Sequence, residues 1–188
     1  MPITPADLSP GPERVARSQT PRRTRRAGGR PPGIRHERPY WDNGLVVAGI
    51  DEVGRGAWAG PVSVGIVALN PQRRIHRLRD SKALAPDERT HIAGRIEEHA
   101  LAAVVGHASN DEIDQIGMTA ALRLATSRAL ADLSVRPDVF LIDGNLDMAA
   151  GHATQTELIV KGDTRSASIA AASIVAKVTR DAMMIADD

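Results

Sequence analysis

Gly49-Ile50-Asp51-Glu52-Val53-Gly54-Arg55-Gly56 sets two adjacent carboxylates and a Gly-Arg-Gly loop directly behind the apolar run Leu45 to Ile50. The run is short, partly β-branched and bounded by Gly44 and Gly54, the pattern of a strand buried on both faces. Asp51 and Glu52 therefore fall at a strand's carboxyl end. Successive side chains on a strand face opposite sides, so one acid of the pair has to be buried or paired. Its partner has to be a basic side chain or a metal ion. Gly54 and Gly56 let backbone amides approach a ligand closely, and Arg55 between them offers a fork of donors suited to phosphate. Taken alone, the same octapeptide also describes a tight turn with a surface ion pair.

Working outward, Val62 to Leu69 is a second β-branched run closed by Asn70-Pro71, near enough to the first to form an antiparallel pair with it. A polar stretch with Arg79-Asp80-Ser81-Lys82 follows. Pro86-Asp87-Glu88 then opens a helix reaching about His99, the proline fitting the first turn and the acids its positive dipole end. Ala102 to Ala108 is a third strand. Asp111 begins an acidic turn into one helix with the apolar stripe Ile113, Ile116, Ala120, Leu124, Ala125 and Leu130. Asp138 to Asp143 is a strand ending in an acid before the turn Gly144-Asn145. Leu158-Ile159-Val160 is the last strand, ending Lys161-Gly162-Asp163, and a closing helix starts near Thr164 or Ser166. This order predicts an α/β fold, a mixed five-stranded sheet flanked by helices. No Gly-x-x-x-x-Gly-Lys phosphate loop exists, which excludes nucleotide hydrolysis of that kind.

A chain of 188 residues with 42% apolar content fits one domain. With no cysteine, disulfides, thiolate metal sites and cysteine nucleophiles are excluded. No apolar run approaches membrane-spanning length and no secretory leader is visible, so a cytoplasmic location with no membrane partner is expected; a monomer is expected as well. The net charge of +1 hides an asymmetry, since residues 1–40 hold nine Arg against three acids. Together with their prolines, this makes residues 1–43 read as a disordered basic extension able to add sequence-independent affinity for nucleic acid. Residues 44–188 read as one folded domain. Its final helix ends Ala186-Asp187-Asp188 with acids at the negative dipole end and no glycine cap. It reads as cut rather than finished, leaving part of the face with Ile174, Val175, Val178 and Ile185 uncovered.

Three strand ends now carry acids: Asp51 with Glu52, Asp143 and Asp163. Acids at equivalent ends of one sheet converge at its carboxyl edge, where open α/β sheets place ligands. Four carboxylates repel one another strongly unless cations join them. Oxygen-only ligands suit two Mg²⁺ or Mn²⁺ ions, and zinc is disfavoured by the lack of cysteine and of paired histidines. Two such ions form a clamp for attack of water on a phosphodiester. Singly, each acid is as well explained as a turn former or helix cap.

GIDEVGRGAWAGPV (49–62) resembles the opening signature of ribonuclease HII, the type 2 ribonuclease H family. DSKALAP (80–86), NDEIDQIGMTAALRLA (110–125), FLIDGN (140–145), VKGDTRS (160–166) and AASIVAKVTRDAMM (171–184) resemble further stretches of that family. The resemblance covers residues 44 to 188. It implies a ribonuclease H-like fold and an endoribonuclease that hydrolyses the RNA strand of RNA/DNA hybrids, including ribonucleotides embedded in duplex DNA, leaving 3′-hydroxyl and 5′-phosphate ends. Asp51, Glu52, Asp143 and Asp163 match its catalytic, metal-binding carboxylates. Gly54, Arg55 and Gly56 match the loop that tests the 2′-hydroxyl at an RNA–DNA junction. Ser81, Lys82, Lys161 and Arg165 are assigned to substrate phosphate on the same basis. Asp181 matches a family position too, but Lys177 at i,i+4 makes it a structural ion pair.

Two departures stand out. Ala57-Trp58 replaces the pair usual after the glycine loop, and the family's C-terminal segment with a sugar-stacking tyrosine has no counterpart. The lone Tyr40 lies in the extension. The alternatives are therefore a truncated, weakly active or inactive nucleic-acid-binding relative, or a receiver-type phosphoacceptor domain, whose acid set Asp51, Glu52, Asp143 and Lys161 imitate. A receiver needs strictly alternating β/α units, against which the two closely spaced first strands argue.

Overall fold

The computed structural model describes residues 31–57, 60–152 and 155–186. Its elements are α1 (Arg38–Trp41), β1 (Val47–Val53), β2 (Val62–Ala68), α2 (Pro86–His99), β3 (Ala102–Ala108), α3 (Asn110–Ile116), α4 (Met118–Ala131), β4 (Val139–Asp143), β5 (Gln155–Ile159) and α5 (Ala167–Ala186). They build the expected mixed five-stranded sheet, in the order β3-β2-β1-β4-β5. β1, β2 and β3 form an antiparallel meander, and β4 and β5 join parallel to β1. The antiparallel β1–β2 pair removes the receiver reading, because a receiver's first two strands are parallel and separated by a helix.

α2 and α5 cover one face of the sheet and α4 the other. Gly65 pairs with Asp51 across the β1–β2 ladder, and Gly49 is two residues from Asp51. With a period of two, all three point to the α5 face. A side chain on Gly49 would collide with the backbone of Ser168, and one on Gly65 with that of Ala172. α5 therefore lies directly on the sheet backbone, and Asp51 faces it. On the other face Ile50, Val64, Ile66, Leu122, Ala125, Phe140 and Ile142 form the larger core. Of the apolar residues on α5, Ile174 and Val175 are buried against α2 and the sheet, whereas Ile185 is 76% exposed.

Three expectations change. The single central helix is two, α3 and α4, because Gly117 adopts φ 78 and ends α3 beside a Ser109–Glu112 capping box at its start. The last strand begins earlier, at Gln155, and Lys161 turns the chain through a left-handed φ of 57, so Asp163 lies in a 3₁₀ turn, Gly162–Thr164, and not at a strand end.

The third change concerns residues 31–43, which fold against the domain instead of belonging to a disordered extension. Glu37 is fully buried, and its Oε1 accepts from the Ser166 hydroxyl at 2.6 Å and the Ser168 N–H at 2.8 Å. Two free donors at the start of a long helix explain why a carboxylate settles there. Tyr40 donates to Glu157 and accepts from Gln155, and Trp41 packs on the core. The remainder of that extension, residues 1–30, and Trp58 lie outside the described residues.

Candidate active site

Asp51 and Asp143 lie on neighbouring parallel strands, one step beyond the Ile50–Ile142 pair; Asp143 ends β4, whereas β1 runs on through Asp51 and Glu52 to Val53 instead of ending at them. Asp143 also pairs with Ile159, and its Oδ1 accepts from Gly162 N–H at 2.6 Å, which pins the turn carrying Asp163 to the same edge. Three of the four carboxylates, Asp51, Glu52 and Asp163, are shifted in pKa by their surroundings. Burial pushes Asp51 up to about 8, opposed by a hydrogen bond from Ser173 and reinforced by the charges of Asp143 and Glu52. Burial also raises Glu52, with Arg55 acting against it and Asp143 adding to it. Asp163 is raised by burial, then by Asp80 and Asp143, with Lys82 opposing. Asp143 is thus the common neighbour of the other three.

As they stand, these side chains are engaged with the chain itself. Asp51 Oδ1 accepts from the Glu52 N–H at 2.8 Å, Glu52 leans to Arg55 at 3.5 Å, and Asp143 holds Gly162. Among the described residues no three acids or histidines stand as a finished ligand set. Close electrostatic coupling without convergent oxygens describes a cluster whose oxygens are tied to local N–H and guanidinium donors. The donor set is carboxylate oxygen under mutual repulsion, which fits hard divalent cations such as Mg²⁺ or Mn²⁺.

Beside the acids, Gly54 has φ 102 and its carbonyl closes a turn on Ala57 N–H, so the Gly54-Arg55-Gly56 loop projects from the end of β1 with Arg55 half exposed. Lys82 and Arg165 are exposed, and Lys161 is exposed at the left-handed position. Ser81 differs from its expected role. It is 2% exposed, its hydroxyl lies 3.0 Å from that of Ser173, and its carbonyl accepts from Arg89. A buried hydroxyl facing the protein core has no face left for substrate phosphate, so Ser81 is a link in the chain Ser81–Ser173–Asp51. Asp181 pairs with Lys177 as the i,i+4 spacing predicts, and also with Arg89.

Sequence reasoning missed four residues of this surround. Ser173 interrupts the apolar stripe of α5, a signal that was available. Asp80, next to Ser81, is the acid whose charge falls most on Asp163. Arg89 donates to the carbonyls of Ser81 and Leu84, fixing the Asp80–Leu84 segment. Arg180 donates to Pro61 across the base of the glycine loop. Neither arginine has a sequence signature, because both act on backbone carbonyls, Arg89 five and eight residues away and Arg180 on one 119 residues away.

A family model described as Ribonuclease HII matches residues 48–188. The chain belongs to that family. It is 48% identical over 139 residues to the ribonuclease HII of Streptomyces avermitilis, covering 74% of this chain and 59% of that one. It is 49% identical over 146 residues to the ribonuclease HII of a Shewanella species, covering 76% and 70%. The chain thus spans about three fifths of the length of its Streptomyces relative. Among solved structures, the ribonuclease H2 of Pyrococcus horikoshii superposes with TM-score 0.66 at 28% identity, covering 76% of this chain and 75% of that one. The ribonuclease HII of Archaeoglobus fulgidus, solved in complex with PCNA, gives 0.64 at 26%, covering 76% of each. The matched region contains all four acids, whereas Glu37 and α1 precede it.

Proposed function

We propose that the chain is a metal-dependent endoribonuclease, a cytoplasmic monomer hydrolysing the RNA strand of RNA/DNA hybrids and the phosphodiester at ribonucleotides embedded in duplex DNA. The observation that carries this reading is the position of Asp143, beside Asp51 on the neighbouring parallel strand and bonded to the Gly162 N–H of the turn that bears Asp163, with Glu52 next to Asp51. These four carboxylates would hold two divalent ions, Mg²⁺ or Mn²⁺, which supply charge stabilisation for in-line displacement at phosphorus. Hydrolysis then leaves 3′-hydroxyl and 5′-phosphate ends.

The chain's own residues do the rest. Gly54 and Gly56 bring backbone close to the sugar edge, where amide and carbonyl groups read the 2′-hydroxyl that separates RNA from DNA. Arg55 lies against Glu52 in the free protein and is free to exchange that carboxylate for a phosphate. Lys82, Lys161 and Arg165 surround the turn bearing Asp163 and bind flanking phosphates as point charges or forks. Ser173 orients Asp51, and Ser81 holds Ser173.

The test is incubation of a labelled duplex containing one ribonucleotide, with and without Mg²⁺ or Mn²⁺. Metal-dependent scission on the 5′ side of the ribonucleotide, with a 3′-hydroxyl, is expected. A product ending in a 2′,3′-cyclic phosphate would refute the reading, because it requires attack by the 2′-hydroxyl.

A further inference from the structure

A cavity of about 490 Å³ opens where residues 31–41, the loop after β2 and the start of α5 meet. Four arginines line it, Arg38, Arg73, Arg74 and Arg77, with His76 and the ring of Trp41, and no Asp or Glu is among its lining residues. Within 41–188 acids outnumber Lys and Arg, 20 to 15, so this concentration of one sign is local and not a property of the domain. Among the described residues no hydrogen bond or ion pair engages the guanidinium groups of Arg38, Arg73 and Arg74. Arg77 reaches Glu88 at 3.8 Å and holds φ 69, a left-handed conformation that residues with a Cβ rarely adopt and that concentrates at functional positions.

The cavity's place relative to the acids follows from chain connectivity. Arg77 precedes Asp80 by three residues, so their Cα atoms lie within roughly 11 Å, and Ala167 on the opposite wall follows Asp163 by four, within roughly 14 Å. Asp80 and Asp163 are themselves electrostatic neighbours. These distances are upper limits; Arg74 and Arg73, six and seven residues before Asp80, lie within about 22 and 25 Å of it, so the cavity reaches at most about seven nucleotides of one strand from the cleaved position at 3.4 Å of axis each.

We infer that this cavity binds backbone phosphates of the duplex flanking the cleaved position, a second and sequence-independent contact outside the metal site. The inference rests on the proposed nuclease reading for its ligand. The guanidinium forks match phosphate oxygens, and the apolar floor beneath them lowers the local dielectric that strengthens the attraction. In sequence, residues 1–30, which precede the lining residue Pro31, have the same sign, with seven Arg against two acids. Arg38, Arg73 and Arg74 are exposed, so replacing them leaves the core intact.

The experiment compares the wild type with Arg38→Gln/Arg73→Gln/Arg74→Gln on two single-ribonucleotide duplexes, one ending close to the ribonucleotide and one extending well past it on both sides. Binding is read by fluorescence anisotropy across a salt series and cleavage by single-turnover kinetics. The variant should lose about tenfold or more in affinity for the long duplex, with the slope of log affinity against log salt reduced by about two to three. Its affinity for the short duplex and its rate at saturation should be unchanged, and Lys at the three positions should restore most of the long-duplex affinity. Equal affinity of variant and wild type for the long duplex overturns the inference, as does an equal loss on both duplexes. So does binding of polyglutamate, weakened by the same substitutions, at the strength of the long duplex, which would assign the cavity to an acidic protein partner. A wild type that binds with this length dependence yet never cleaves refutes the nuclease reading and leaves the cavity's role standing, so the two failures are separable.

Discussion

Two carboxylates are buried against α5, and they live in opposite circumstances. Glu37, fully buried, meets the N-terminal end of the helix, where the Ser168 N–H and the Ser166 hydroxyl both donate to it. Asp51, 6% exposed, meets the same helix further along, at Ser173, with Asp143 and Glu52 pressing their charges on it. Glu37 Oε1 is satisfied by the helix terminus and ties residues 31–43 to the fold, while its Oε2 is buried with no hydrogen-bond partner among the described residues. Asp51 is held by the fold in a state that the fold does not satisfy. Burial of a carboxylate therefore does not mark a reactive site by itself; the identity of its neighbours does.

Substitution should separate the two most sharply in turnover. Asp51→Asn and Asp143→Asn should each lower the single-turnover rate by on the order of 10³-fold or more, as expected for groups acting at the reacting centre. Circular dichroism and melting temperature should hold or improve, because removing one charge relieves repulsion among the acids. Glu37→Ala should do the reverse, costing about 1–3 kcal/mol of stability through two donors left buried and unpaired. Denaturant midpoints measure that loss, and hydrogen exchange should localise it to residues 162–168. An Asp51→Asn chain that unfolds, or a Glu37→Ala chain of full stability, would erase the distinction.

A gentler contrast lies in pH. Asp51 has a folded pKa of about 8 against an ordinary 3.8. The folded chain then keeps a proton that the unfolded chain gives up. The resulting stability is fully present below the ordinary carboxylate range and is lost as pH rises through about 4 to about 8. Urea unfolding of the chelator-treated protein across that range should show the decline, and Asp51→Asn should flatten it. A decline of equal slope in Asp51→Asn would assign the titration elsewhere.

The same contrast explains what could be read in advance. The five strands, α2 and the nearness of Asp51, Glu52 and Asp143 at one sheet edge follow from apolar runs, a proline and the acids that directly follow those runs, all local signals. Asp163 was placed at the right edge for an incomplete reason, since the left-handed turn at Lys161 and the Gly162 N–H on Asp143 bring it there. Residues 31–43 carry no long apolar run and follow an arginine- and proline-rich stretch, while their anchoring depends on Glu37, whose partners are about 130 residues away, and on Trp41 packing on the core. The break at Gly117 was invisible because the apolar period runs on through it. Arg89 and Arg180 left no trace because they bind backbone carbonyls, which every sequence supplies.

The smallest expected effect tests the link through which the fold reaches Asp51. The Ser173 hydroxyl favours the ionised form of Asp51, so Ser173→Ala should move its titration further up and lower the single-turnover rate near neutral pH by roughly three- to tenfold, about 1 kcal/mol. Ser81 lies one hydroxyl farther out, 3.0 Å from Ser173, and reaches the acid only through it. Ser81→Ala should therefore change the rate by no more than about twofold, and the double variant should match Ser173→Ala alone, because both changes break one chain at different points. Substrate affinity and its salt dependence should stay constant throughout, since neither hydroxyl faces solvent. A Ser81→Ala variant with weakened, less salt-dependent duplex binding and an unaltered pH profile would return Ser81 to the phosphate contacts and break the Ser81–Ser173–Asp51 chain.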